Sequence, residues 1–289
     1  MGEQWKTEEF SLTLRENGQE CRVLTDVNLE IKKGEIVGLI GESGSGKSVF
    51  WKSILGLKDP ECWHMEGESW VSGQKVDFQN PLSLRKLRGK EAAVILQDPM
   101  SAFDQVFTIE WHFWETARAH TSWTRKETRE KAIELLRRLY IREPEKVLKM
   151  FPFQCSGGML QRIMIAIALM MEPAVLIADE PTTSVDVTVQ REILTMLREL
   201  NEKQGTSILF ISHDLKAVES IADYIYVMYA GYVVESFSAE RLKSGQVFHP
   251  YTRKLLEARP SFTKNRLPVL KGHPPELLER QTGLSLIHI

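Results

Sequence analysis

Apolar positions along this chain follow two periods, and the change between them divides it. Within residues 9–40 the period is two. Phe10-Ser11-Leu12-Thr13-Leu14 and Val27-Asn28-Leu29-Glu30-Ile31 alternate, which predicts strands, and Lys33-Gly34 predicts a turn before another strand at Glu35. The run Ile36-Val37-Gly38-Leu39-Ile40 is apolar throughout, and a short helix is predicted over 49–55. Residues 92–96 form an apolar run of strand length that ends at Gln97-Asp98-Pro99, because proline cannot donate to a ladder.

Over 99–172 the period is that of a helix. Thr124-Arg125-Lys126-Glu127 has the spacing of a capping box, and Ala132, Leu135, Leu136 and Leu139 recur on one face behind it. Residues 159–171 are apolar almost all round, which predicts a helix buried on most sides, with Pro173 just past its end. Strand character returns at 174–178. A helix follows with Val189, Ile193, Met196, Leu197 and Leu200 on one face, stopped by Gly205. Strands are then predicted at 207–211, 224–228 and 232–234, the last two joined at Ala230-Gly231. Near-continuous apolar strands alternating with helices imply an α/β fold: a mostly parallel sheet covered on both faces. From about Ser238 the pattern weakens.

A chain of 289 residues has room for one large α/β domain or two small ones. A net charge of −2 gives no sign of a nucleic-acid surface. Cys21, Cys62 and Cys155 are odd in number and far apart, so no disulfide framework is expected and a reducing cytosol fits. No signal peptide is visible, and the most apolar stretch, 159–178, is interrupted by Gln161, Arg162, Glu172 and Pro173, so it is not a membrane span. A role at a membrane would require docking on a partner that spans it.

The chemistry centres on Gly41-Glu42-Ser43-Gly44-Ser45-Gly46-Lys47-Ser48. Between a predicted strand and a predicted helix, this G-x-x-x-x-G-K-S spacing is that of a phosphate-binding loop. Glycines let the backbone wrap a polyphosphate with its N–H groups inward, and the helix start adds its positive end. Lys47 is expected to reach the β- and γ-phosphates, and Ser48 to ligate Mg²⁺. The strand at 174–178 ends in Asp179-Glu180. Asp179 is expected in the Mg²⁺ shell, and Glu180 is expected to polarise an attacking water. Ser156, Gly157 and Gly158 open the long apolar helix. A helix start with free N–H groups binds an anion, and here it is expected to serve the nucleotide of a second subunit.

Together these stretches resemble the ATP-binding subunits of ABC transporters over about residues 9–258. Gly41 to Ser48 looks like the family's Walker A and Val175 to Glu180 like its Walker B. Gln97 matches the Q-loop glutamine, Ser156-Gly157-Gly158 the signature, Ser184-Val185-Asp186 the D-loop, and His213 the switch histidine. The resemblance implies the ABC ATPase fold: a P-loop NTPase core, an antiparallel β subdomain and an α-helical insert. It also implies ATP and Mg²⁺ as ligands, with Glu180, His213, Gln97 and Lys47 catalytic and Ser48, Gln97 and Asp179 around the metal. Gly41 to Ser48, Ser156 to Gly158 and Asp186 are implied around the nucleotide.

The implied partners are a second ABC ATPase subunit, in a homo- or heterodimer, and two integral-membrane permease subunits. A solute-binding protein acts indirectly, nucleic acid is not a partner, and the place of work is the cytoplasmic face of the inner or plasma membrane. The expected division is an ATP-binding core at 1–98 and 173–236, a helical subdomain at 99–172 and a C-terminal extension at 237–283. His249-Pro250-Tyr251-Thr252 and Gly272-His273-Pro274-Pro275-Glu276-Leu277 resemble the extension of the oligopeptide/nickel permease ATPases. Phe151-Pro152-Phe153, Met159 and the segment 177–183 look closest to the nickel or metallophore branch.

The signature departs from the family pattern in having Cys155 and Met159 where leucine and glutamine are usual. Leu14 and Arg15, neither of them aromatic, fall near the usual place of the family's adenine-stacking residue, so no aromatic is assigned and the base is expected to rest on Val23 and its apolar neighbours. Cys62 and His64 are read as loop residues rather than half a metal site. His249, His273 and His288 are read as solvated. The cluster Phe103, Phe107, Trp111, Phe113 and Trp114 reads equally as core or as the surface that grips a permease. Two other classes compete: a soluble ABC ATPase acting on nucleic acid or ribosomes, and a nucleotide kinase. Residues 284–289 fit nothing before them and read like the translation of a transposon end used in sequencing libraries, so they are expected to be a non-native, disordered tail.

Overall fold

The computed structural model describes residues 2–16, 18–183 and 186–258. The segment at 272–277, the six-residue tail, His273, His288, Ser184 and Val185 lie outside the described residues.

The chain opens with three strands, β1 (Glu3–Glu16), β2 (Gln19–Lys32) and β3 (Ile36–Ile40), followed by α1 (Lys47–Ile54). A hairpin of β4 (Trp63–Val71) and β5 (Gln74–Lys75) leads to α2 (Pro81–Leu87) and β6 (Ala92–Ile95). The helical stretch holds α3 (Ile109–His120), α4 (Arg125–Arg138), α5 (Pro144–Val147) and α6 (Gly157–Leu169). Then come β7 (Val175–Asp179), α7 (Val187–Gln204), β8 (Ser207–Ser212), α8 (Leu215–Ile221), β9 (Tyr224–Tyr229) and β10 (Tyr232–Ser238). Two short helices, α9 (Ala239–Lys243) and α10 (Pro250–Glu257), close the described chain where the sequence pattern had weakened.

The strands form two sheets. One is antiparallel, in the order β2-β1-β4-β5. The other has six strands in the order β10-β9-β3-β8-β7-β6, parallel except for the β9–β10 hairpin. Burial follows from the period of two. On β8, Ile208 and Phe210 enter one apolar cluster while Leu209 and Ile211 enter the other, and on β7 Leu176 and Ala178 oppose Val175 and Ile177 in the same way. The first cluster packs the sheet on α4, α6, α7 and α8, and the second packs it on α1 and the antiparallel sheet. Strands with both faces covered have no polar side, so their sequences carry no alternation.

The capping box forms as predicted: Thr124 Oγ1 accepts from Glu127 N–H, and the Glu127 carboxylate accepts from Thr124 N–H at 2.7 Å. Gly205 ends α7 in the left-handed conformation, φ +67°.

Several expectations are corrected. β1 runs far beyond residues 10–14. A bulge shifts its register between Thr7 and Phe10, so odd residues (Trp5, Thr7) and then even ones (Phe10, Leu12) face the same core, and the period is lost to inspection. His64 lies on β4 rather than in a loop. Val23 is only 5% exposed within the second cluster, so it offers no face for a base to rest on. His249 is half-buried and caps α10, accepting from Tyr251 N–H. Cys21, Cys62 and Cys155 are not joined in disulfides, and the described residues contain no cluster of three or more metal-ligating side chains.

Candidate active site

The parallel pairing of β3, β8, β7 and β6 puts their C-terminal ends along one edge. The loop after β3, Asp179 ending β7, Gln97 after β6 and His213 after β8 all emerge there. Spacing pointed to the phosphate loop and Asp179, and the family resemblance to Gln97 and His213; the shared edge is what brings them together.

The phosphate loop is tightly built. Gly41 has φ +155°, and a Cβ there would fall 2.2 Å from the carbonyl oxygen of Met228 on β9. Gly46 has φ +111°, and a Cβ would fall 2.7 Å from Leu24 Cδ2. Both positions therefore exclude a side chain. Lys47 is 5% exposed and donates from Nζ to the carbonyls of Gly41 and Glu42, both at 2.7 Å, and to Ser45 Oγ at 3.3 Å. Burial pushes its pKa below the ordinary lysine value, while the nearby charges of Glu180, Asp179 and Glu42 act in the opposite sense. The ammonium thus sits inside the loop with its three donors satisfied by it.

Ser48, on the first turn of α1, donates from Oγ to Asp179 Oδ1 at 3.1 Å. The other carboxylate oxygen, Oδ2, accepts from Trp51 Nε1–H at 2.9 Å. Asp179 and Trp51 are 6% and 1% exposed. Two oxygens this close, one from a buried carboxylate, are the donor set of a hard cation.

Glu180 follows with φ +49°, a conformation that costs on the order of 1–3 kcal/mol for a residue with a Cβ. Its N–H donates to Ile211 O at 2.9 Å and its carbonyl accepts from Thr183 N–H at 3.1 Å, which holds the turn. Its carboxylate accepts from Gln97 Nε2 at 3.0 Å and Thr183 Oγ1 at 3.1 Å, and His213 Nδ1 lies 3.2 Å from Oε1. Gln97, Glu180 and His213, far apart in sequence, meet at one carboxylate.

Ser156 caps α6 and accepts from Met159 N–H at 3.3 Å. Ser156 and Gly157 are exposed, and a Cβ at Gly157 would meet nothing within 4 Å. Gln161, 1% exposed, donates to the Pro181 carbonyl at 3.1 Å, and Arg162 pairs with Glu192 on α7. The signature helix is therefore tied to the segment just after Glu180. Asp186 is used locally: it caps α7, its Oδ1 accepting from Thr188 and Val189 N–H at 2.9 and 3.0 Å.

The aromatic cluster divides. Phe103 and Phe113 are buried, whereas Phe107 and Trp111 stack half-buried with ring centroids 3.9 Å apart. Trp114 is half-buried beneath the Arg125 guanidinium, and Val106 beside them is 71% exposed.

Sequence reasoning missed Trp51, Gln161 and Tyr251, whose hydroxyl accepts from Glu42 N–H at 2.9 Å. For the first two, a polar-capable side chain on an otherwise apolar helix face was the available signal.

A glycine-rich loop and a carboxylate-ended strand on one edge of a parallel sheet define a P-loop ATPase. A family model described as ABC transporter matches residues 24–183. The chain is 38% identical over 281 residues to the dipeptide transport ATP-binding protein DppD of Escherichia coli (strain K12), covering 96% of this chain and 86% of that protein. It is 36% identical over 276 residues to the oligopeptide transport ATP-binding protein OppD of Lactococcus lactis subsp. lactis, covering 95% and 81%. The fold superposes on the dimeric post-hydrolysis ATP-binding cassette MJ0796, bound to ADP and Pi, with TM-score 0.72 at 27% identity, over 81% of this chain and 98% of that one. The protein belongs to the ABC transporter ATPases, in the group of peptide-permease ATP-binding subunits.

Proposed function

We propose that this chain is the ATP-hydrolysing subunit of an ABC importer for peptides, working at the cytoplasmic face of the membrane against two permease subunits. The observation that carries it is the convergence of Lys47, Ser48–Asp179 and Gln97–Glu180–His213 on one sheet edge in a chain of this family. Among the described residues no helix is long and apolar enough to cross a membrane; in this reading the spanning subunits are other chains. The relatives named above are peptide transporters, which favours a peptide over nickel as the solute. That solute is delivered by a binding protein outside the membrane.

In this reading Lys47 exchanges its bonds to the loop carbonyls for bonds to the β- and γ-phosphates, and the loop amides receive the remaining charge. Mg²⁺, which Ser48, Asp179 and Gln97 would hold, supplies neutralisation of the phosphate oxygens. Glu180, fixed by Thr183 and Gln97, orients the water, and His213 carries the signal of the γ-phosphate to that carboxylate. Ser156 and Gly157, exposed on this chain, close on the nucleotide of a second ATPase subunit, with Asp186 beside them. Residues 1–98 and 173–236 act as the core, 99–172 as the moving subdomain and 237–283 as the extension. Phe107, Trp111 and Trp114 form the permease-facing surface.

A deletion strain tests the assignment. Uptake of labelled dipeptide should be lost and restored by the wild-type chain but not by Lys47→Ala, with nickel uptake unaffected. Loss of nickel uptake with dipeptide uptake intact would reverse the choice of solute.

A further inference from the structure

The sequence motif His249-Pro250-Tyr251-Thr252 plays no part in the reaction above, yet it ends against the phosphate loop. Tyr251 is 2% exposed, and its hydroxyl accepts the Glu42 N–H at 2.9 Å. Glu42 is the first loop residue past Gly41. The sheet pairing of β3 stops at Ile40, which is matched with Ser212 on one side and Val227 on the other. Two residues beyond that last rung, the tyrosine supplies the backbone's next partner. Glu42 also accepts, at its carbonyl, from Lys47 Nζ at 2.7 Å and from Ser45 N–H at 3.2 Å. Glu42 is thus the residue at which the loop's internal bonds and its only bond to α10 meet, among the described hydrogen bonds.

The helix that carries Tyr251 is itself held. His249 Nδ1 accepts from Tyr251 N–H at 3.2 Å, and the Glu235 carboxylate on β10 accepts from Phe248 and His249 N–H at 2.7 and 3.1 Å. The Tyr251 ring packs on Tyr229 with centroids 4.5 Å apart. Tyr229 ends β9, and in the turn after it Gly231 N–H donates to the Ser45 carbonyl at 2.9 Å. Two routes therefore join the C-terminal segment to the loop, one through Tyr251 and one through the β9–β10 hairpin.

We propose that Tyr251 is a positioning residue for the nucleotide: through Glu42 N–H it holds the phosphate loop in its receiving shape, making the segment after β10 an input to ATP affinity. This rests on the assignment of the loop as the nucleotide site. The physical ground is pre-organisation. A loop that must be ordered when its ligand binds loses conformational entropy at that moment, and a bond made beforehand removes part of that cost. Burial raises the phenol's pKa, so the hydroxyl stays neutral across the working pH range.

The test uses the full chain, binding of ATP at equilibrium, steady-state hydrolysis and hydrogen exchange. Tyr251→Phe keeps the ring against Tyr229 and removes the hydroxyl. ATP binding should weaken about three- to tenfold, the value of one ordinary hydrogen bond. KM should rise by the same factor with kcat unchanged, and exchange should quicken in residues 41–47 but not across the sheet. Glu235→Ala, which frees the start of α10 without touching the loop, should act in the same direction to a smaller extent. Lys47→Ala separates the two levels: if it binds ATP like the wild type, the nucleotide site itself is misassigned. If Lys47→Ala loses binding while Tyr251→Phe binds like the wild type, or loses affinity only with faster exchange throughout the sheet, the role of Tyr251 is overturned.

Discussion

Trp51→Phe probes how the chain holds the carboxylate at the end of β7. The indole N–H donates to Asp179 Oδ2 at 2.9 Å, leaving Oδ1 to Ser48. With Asp179 6% and Trp51 1% exposed, water cannot replace the lost donor without opening the core. A hydrogen bond to a charged acceptor contributes about 1.5–3 kcal/mol. The smaller ring leaves an unfilled volume costing on the order of 1 kcal/mol more. The nucleotide-free chain should therefore lose about 3 kcal/mol, a melting-temperature drop of roughly 6–12 °C for a chain of this size. Denaturant unfolding of the single and double variants with Asp179→Asn isolates the bond. The expected coupling is about 1.5–3 kcal/mol, and the Mg²⁺ concentration for half-maximal hydrolysis should rise about tenfold as the carboxylate loses its fixed orientation. Additivity within about 0.5 kcal/mol, with an unchanged Mg²⁺ dependence, would refute the assignment.

Glu180→Gln keeps the shape of the site but removes the carboxylate that Gln97, Thr183 and His213 surround, so ATP binding should persist, hydrolysis should nearly vanish and ATP should trap a closed dimer; wild-type turnover would exclude Glu180 as the water-orienting group. Ser156→Arg should leave ATP binding by the isolated chain intact and cripple hydrolysis at the partner's loop, whereas loss of binding by the chain alone would contradict the in-trans role. Trp111→Ala with Trp114→Ala should weaken membrane association more than stability, and a large fall in melting temperature with transport still coupled would return both rings to the core. Stability should also depend on pH. Burial lowers the pKa of His112, His120 and His249 in the folded chain; Arg85 adds to the effect at His120, the hydrogen bond with the Asp104 carbonyl and then nearby carboxylates oppose it at His112, and Glu235 opposes it at His249. The unfolded chain therefore takes up these protons more readily, and stability is full above about pH 6.5 and lost as pH falls below it. Melting temperatures between pH 8 and 5.5 should decline on the acid side, and a level profile there would contradict the burial argument.

The sequence by itself determined the family and the alternation of strands and helices from residue 92 to residue 234, except for α8, which it did not show. It also named the residues that now stand at the sheet edge. These are local matters. A period of two or 3.6, a capping box, or a glycine where φ must be positive is written in neighbouring residues, and the phosphate loop needs no more than eight of them. Even the apolar strands were legible, because a strand covered on both faces has no polar side to lose.

Tertiary structure decided which groups meet. Trp51 is 128 positions from Asp179, and Tyr251 is 209 from Glu42. Periodicity tells which face of a helix is buried but not which buried atom waits opposite an indole N–H or a phenol oxygen. It also fails wherever a bulge resets the count, as it does in β1 between Thr7 and Phe10. Short elements escape it as well: α10, eight residues long, has an apolar face, but the groups that hold it, Glu235, Tyr229 and the phosphate loop, lie outside its own residues. The same reason accounts for Val23, an alternating strand residue whose burial beneath a second sheet could not be read from its neighbours. Hydrogen-bond partners and covered faces depend on the whole packed chain, and only the fold could assign them.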